Sequence, residues 1–207
     1  MRIVPLLAGG LLLVAGCGTE PTTPLNGYGL LAGTCDTENG GKALHWAPGD
    51  ACIPVTYEPE LEPERANLER ALEAWSKLDC SRLCFEAPAA LARDPEQEVV
   101  GAIHFVEGVP DPRIPIYATI TYHQDSFMIL GSVIRLDPEL LAAIPADQVP
   151  GAWAGAVGHA LGLDAIEDDV RSVRAHVGRH LAPEPTERDQ ADFCAIYGAG
   201  GVCALTP

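Results

Sequence analysis

Residues Gly151 to Ile166 read GAWAGAVGHALGLDAI. No charged side chain occurs from Val149 to Leu163, so a helix formed here has no face suited to water and is expected to be buried on most sides. Gly155, Gly158 and Gly162 each lower its helicity by up to ~1 kcal/mol relative to alanine. They are also small enough to let a neighbouring backbone pack closely against the helix. His159 is the one imidazole in this run. In so apolar a setting it is expected first of all to be a hydrogen-bonded interior residue.

Working outward, Ile53 to Glu58 (IPVTYE) has strand character. Leu68, Leu72, Trp75 and Leu78 then recur at helical spacing with Ala71 and Ala74, while Glu69, Arg70, Glu73 and Lys77 fall on the other side. That pattern predicts an amphipathic helix of about four turns, with Trp75 as a core anchor. Leu83 to Phe85 begins a short strand and Val99 to Val106 (VVGAIHFV) a strong one. Tyr117 to Tyr122 (YATITY) and Phe127 to Leu136 (FMILGSVIRL) are rich in β-branched and aromatic residues and read as strands. Gly131 inside the last of these predicts a bulge. Downstream, Thr186 and Asp189 have the spacing of a helix cap, opening a terminal helix with Phe193, Ile196 and Tyr197 inward. No internal repeat interrupts this order. Its fold class is α+β: a mixed twisted sheet, an early amphipathic helix, a buried helix and a C-terminal helix.

The N-terminus reads as a targeting segment. Arg2 supplies a short positive region, and Ile3 to Val14 an apolar run shorter than the ~20 residues of a membrane span. It ends in Val14-Ala15-Gly16-Cys17, which resembles a bacterial lipobox. The resemblance implies a signal peptide over 1–16, acylation of Cys17, and export as a membrane-anchored lipoprotein. Gly18 after the cysteine points, by the same resemblance, to the outer membrane or cell surface. Residues 17–34, rich in Pro, Thr and Gly, are expected to form the tether, and residues 35–207 a single domain.

Setting Cys17 aside leaves Cys35, Cys52, Cys80, Cys84, Cys194 and Cys203, an even number suited to an oxidising compartment. Proximity along the chain suggests Cys35–Cys52, Cys80–Cys84 and Cys194–Cys203, although six cysteines allow about 15 pairings. Their spacings match no familiar zinc ribbon or finger. The formal charge is -16, and there is no basic tract. Nucleic-acid binding is therefore excluded as an expectation, because phosphate neutralisation needs a cationic face. The acidity reads as a solvated surface.

With these elements in order, the Gly158-to-Asp164 run (GHALGLD), the Ala71-x-x-Ala74-Trp75 helix and His180-Leu181 leading to Cys194-Ala195-Ile196-Tyr197 together resemble the matrixin branch of the metzincin zinc proteases. The resemblance spans roughly His45 to Tyr197. That family carries H-E-x-x-H-x-x-G-x-x-H on its active-site helix. Laid on that pattern, His159 takes the second histidine and Gly162 the glycine. Gly155 stands at the first histidine, Ala156 at the glutamate and Ala165 at the third histidine. The methionine turn is missing as well: Met1 and Met128 both precede His159, and Arg174 stands in the Ser172-Val173-Arg174 stretch where the methionine is expected.

Zinc hydrolysis needs three protein ligands, an open position for water and a base to take the water proton. Of those groups His159 alone survives, as a vestigial ligand. The expectation is a surface-anchored pseudoprotease with no catalytic residue and no cofactor, retaining at most a peptide- or protein-binding role. In matrixins an extended peptide pairs with a sheet edge by strand addition, a mode that does not use zinc. That role would fall on one of the strands between Tyr117 and Leu136. The alternative is an active zinc endopeptidase with displaced ligands His159, His176 and His180 and Glu167 as base. A second alternative is a structural envelope lipoprotein. Glu167, Asp168 and Asp169 read as a solvated loop; matrixins hold structural calcium in acidic loops, so the resemblance keeps calcium as an alternative there, although no calcium-loop spacing is present. His104 and His123 read as structural or exposed, and His45 carries no readable signal.

Overall fold

The longest strand, β7 (Met128–Leu136), organises the molecule. Nine residues dense in Ile, Val and Leu pair on both edges, which commits the strand to the middle of a sheet. In this computed structural model the described residues are 25–26, 43–47, 51–93, 99–108, 116–123, 125–163, 171–173 and 181–198. They form a seven-stranded mixed sheet and four α-helices. The other strands are β1 (Leu25–Asn26), β2 (His45–Trp46), β3 (Val55–Tyr57), β4 (Ala89–Ala90), β5 (Ile103–Glu107) and β6 (Ile116–Tyr122). The order across the sheet is β1-β6-β7-β5-β3-β4, with β2 pairing in parallel to the start of β7 at His45–Met128 and Trp46–Ile129. β3, β4, β5 and β7 are mutually parallel; β6 runs antiparallel to β7, and β1 antiparallel to β6.

Parallel neighbours need a crossover, and helix α1 (Arg65–Ser76) supplies it between β3 and β4. Its buried residues are Leu68, Ala71, Leu72 and Trp75, the face picked out by the helical spacing. Trp75 is fully buried and donates its Nε1–H to the Ala154 carbonyl of helix α3 (Val149–Ala160) at 2.8 Å. A 3₁₀ helix over Pro59–Glu64 leads into α1. Helix α2 (Pro138–Ala142) follows β7, capped by Asp137, whose carboxylate accepts from the Glu139 and Leu140 amides. Helix α4 (Glu187–Tyr197) opens with a capping box between Thr186 and Asp189, as the spacing of those residues predicts.

The core lies between one sheet face and the helices. Val55, Tyr57, Ile103, Phe105, Ile134 and Leu136 alternate inward along their strands. Phe105 meets Trp153 of α3 with ring centroids 5.8 Å apart, and Trp75 meets Phe193 of α4 at 5.3 Å. Gly151 to Gly158 and Ala160 of α3 are buried, while Val149, Pro150 and His159 are half-buried, as expected of a helix without charge.

The bulge sits beside Gly131. Thr121 pairs with Gly131 but Tyr122 with Ile129, which leaves Leu130 as the extra residue. Gly131 itself answers a different need: a Cβ there would lie 1.8 Å from the Val99 carbonyl oxygen. That close approach also shortens the strand predicted over 99–106. Gly101 takes φ +71° and donates its amide to the Leu130 carbonyl at 2.5 Å, so regular pairing of β5 starts at Ile103.

The cysteine pairs differ from those suggested by proximity. Cys52 joins Cys84, and Cys80 joins Cys194, which replaces the Cys80–Cys84 pairing and removes Cys35–Cys52 and Cys194–Cys203. The cause is the parallel bridge Ile53–Phe85, with the Ile53 amide on the Cys84 carbonyl, which brings the flanking cysteines to a Cα separation of 4.6 Å. Cys80, just past the end of α1, instead meets α4 at a Cα separation of 5.6 Å. Cys35 and Cys203 lie outside the described residues, as does Cys17.

Candidate functional site

The described part of the Gly158-to-Asp164 run, up to Leu163, lies along α3 and at its C-terminal end. The helix runs unbroken through Gly155, Ala156 and His159. Gly155 and Ala156 are enclosed, and His159 is half-buried. Past Ala160 the chain leaves the helix through Gly162, which takes φ +84°. The Leu163 amide returns to the Gly158 carbonyl at 3.1 Å and the Gly162 amide to His159 at 3.0 Å, the bonding pattern of a Schellman cap. Only glycine takes that φ without strain, and a Cβ at Gly162 would also press to 2.8 Å from Leu44. The glycine of the motif is thus accounted for by helix termination alone.

The last carbonyls of a helix need outside donors. Here the Trp46 indole N–H donates to the Ala160 carbonyl at 3.0 Å, and the Tyr197 hydroxyl to Leu161 at 2.6 Å. Tyr197 in turn accepts the Trp46 amide at 3.2 Å. Burial holds the Tyr197 phenol well above its ordinary pKa, so it stays a donor. β2 and α4 therefore clamp the end of α3 from two sides.

His159 Nδ1 lies 3.0 Å from the Leu163 carbonyl. A carbonyl can only accept, so Nδ1 carries the proton and, in the neutral ring, Nε2 carries the lone pair. Histidines that ligate metals use this arrangement, with one ring nitrogen donating to a backbone carbonyl. Zinc fits the rest of the helix poorly. The position one turn earlier is Gly155, which has no side chain, and Ala156 has no proton acceptor. Among the described residues no three His, Cys, Asp or Glu side chains gather into a group that could hold a metal.

The other histidines stand on separate elements. His45 in β2 is buried, its Nδ1 2.8 Å from the Ala43 carbonyl. His123 is exposed after β6. His104 in β5 points away from the helices yet is 2 % exposed, and shares a 2.7 Å hydrogen bond with Thr56 Oγ1. Burial, helped by nearby Arg93 and opposed by Thr56, lowers its pKa to about 4. Ala165, Arg174, His176, His180 and the acidic run from Glu167 to Asp169 lie outside the described residues.

The short stretch expected to replace the methionine turn is held by a contact that the sequence did not betray. Asp189, fully buried, accepts from Ser172 Oγ at 2.5 Å and the Val173 amide at 3.2 Å. It also accepts from the Thr186 amide at 2.9 Å and its Oγ1 at 2.7 Å. The cap spacing announced the bonds to Thr186; nothing local announced those to Ser172 and Val173.

A further surface is the outer edge of β6. Its inner edge pairs with β7 over its whole length, and on the outer edge Leu25 opposes Ile120 and Asn26 opposes Thr119. No helix among the described residues is long and apolar enough to cross a membrane. The chain matches none of the known protein-family models, and no curated protein matches it.

Proposed function

We propose that this chain is an exported, lipid-anchored protein with a matrixin-like domain that binds an extended peptide or protein segment and does not hydrolyse it. The observation that carries the reading is the chemistry of α3. One continuous buried helix presents His159, and the positions one turn before it, where a second ligand and a base belong, are Gly155 and Ala156. The order of elements supports the family: strand, helix, several strands, buried helix, terminal helix, with Gly162 turning the chain after His159. The strand-addition mode is supported by β6, whose outer edge takes an extended antiparallel segment at Thr119 and Ile120.

A second reading is a zinc endopeptidase using His159, His176 and His180. It is favoured by the His159 ring orientation, with Nδ1 on the Leu163 carbonyl. Zinc analysis of the purified chain separates the two. The binding reading expects well under one zinc per chain and peptide binding that a chelator leaves unchanged. One zinc per chain, lost in both His159→Ala and His176→Ala, favours the protease instead. The anchor is tested by palmitate labelling, which must disappear in Cys17→Ser.

A further inference from the structure

The edge that the proposed peptide would use already has an occupant. Leu25 and Asn26 pair antiparallel with Ile120 and Thr119, from within the stretch whose composition reads as a tether. Local sequence suits that stretch to a brief strand. Pro24, immediately before Leu25, has no backbone N–H to donate to a ladder. Asn26-Gly27 on the other side is a turn-forming pair. The contact therefore involves two of the seven β6 residues, and among the described residues nothing else pairs with the outer edge of Ile116, Tyr117, Ala118, Thr121 or Tyr122.

We propose that Leu25–Asn26 is a resident, displaceable strand on the outer edge of β6, and that an external extended peptide binds there by exchanging with it. This inference rests on the peptide-binding reading above for the identity of the competitor, but self-pairing is tested without it. The resident is covalently attached, so it competes at an effective concentration of about millimolar. An incoming peptide has the advantage of length: it can pair along the whole edge, where the resident pairs at two positions. Main-chain hydrogen bonds carry such binding, so the ligand class is an extended segment running antiparallel to β6 and free of proline at its paired positions.

The test compares the full chain with its Leu25→Pro/Asn26→Pro double variant, which keeps the segment but removes its amide donors. Two fluorescent probes are used: a synthetic peptide of residues 21–29, and an unrelated Thr-Val-alternating hexapeptide. The resident-strand proposal expects the 21–29 peptide to bind the variant at least threefold more tightly than the unaltered chain. It also expects whichever of the Thr119 and Ile120 amides faces Leu25–Asn26 to exchange hydrogen faster in the variant without probe, the other facing β7. Equal binding of the 21–29 peptide to both chains, or binding to neither, with unchanged exchange, overturns it. Hexapeptide binding of equal strength to both chains also overturns it, but leaves the peptide-binding function standing. Binding of the 21–29 peptide to the variant with no hexapeptide binding to either chain does the reverse.

Discussion

His104 is a residue whose environment departs from expectation by type. Strand alternation puts it on the face away from the helices, yet it is buried beside Thr56 and its pKa falls to about 4. Above about pH 6.5 the imidazole is neutral whether the chain is folded or not, and stability is at its full value. Between there and pH 4 the unfolded chain takes up a proton that the folded one refuses, so stability falls as pH falls. Each pKa unit is worth ~1.4 kcal/mol, which makes the loss on the order of 2–3 kcal/mol. Denaturant unfolding at pH 7 and pH 4 is expected to show this excess loss in the unaltered chain relative to His104→Gln. Superimposable pH profiles would refute it. The sequence supports reading His104 as structural, but the depth of its burial depends on what packs over the sheet. Asp189 follows the same pattern: its cap is local and legible, while its hold on Ser172 and Val173 spans elements.

Elements were legible in proportion to their length. α1, β6, β7, α3 and α4 each span seven residues or more, enough for a 3.6- or 2-residue period to declare itself. β1 and β2 have two residues apiece, and no period exists in two residues. α2 did carry a signal, Asp137 before Pro138, which is a capping residue followed by the preferred first-turn proline. Strand ends were set by neighbours. β5 begins at Ile103 because the Val99–Gly101 backbone turns across β7 at Gly131. Gly131→Ala is therefore expected to cost about 2 kcal/mol, since its Cβ meets a backbone carbonyl that must move. A shifted urea midpoint with unchanged slope checks this, and faster exchange of the Gly101 amide should accompany it. A neutral substitution would mean that the close approach at Val99 is absent.

At the scale of the whole molecule the two disulfides among the described residues tie the first half of the chain to itself and to α4. Cys52–Cys84 closes a separation of 32 residues and Cys80–Cys194 one of 114. Loop-closure entropy assigns about 3.7 kcal/mol to the shorter loop and about 4.8 kcal/mol to the longer. Replacing Cys80 and Cys194 together with alanine is expected to lower stability by up to that amount, and by more than replacing Cys52 and Cys84. Mass spectrometry of an unreduced digest must also recover these two linkages; a Cys80–Cys84 peptide would contradict the fold around α1. By itself the sequence determined which of the longer segments are helix or strand, that most of α3 is buried, and that Gly155 and Ala156 cannot supply a ligand or a base. Those are properties of side-chain chemistry and short periods, which the chain carries locally. Only the tertiary structure decided which cysteines meet, what Asp189 and Trp46 hold, and that Leu25–Asn26 lies on β6. Each is a contact between residues distant in sequence, and such contacts exist only once packing brings the elements together.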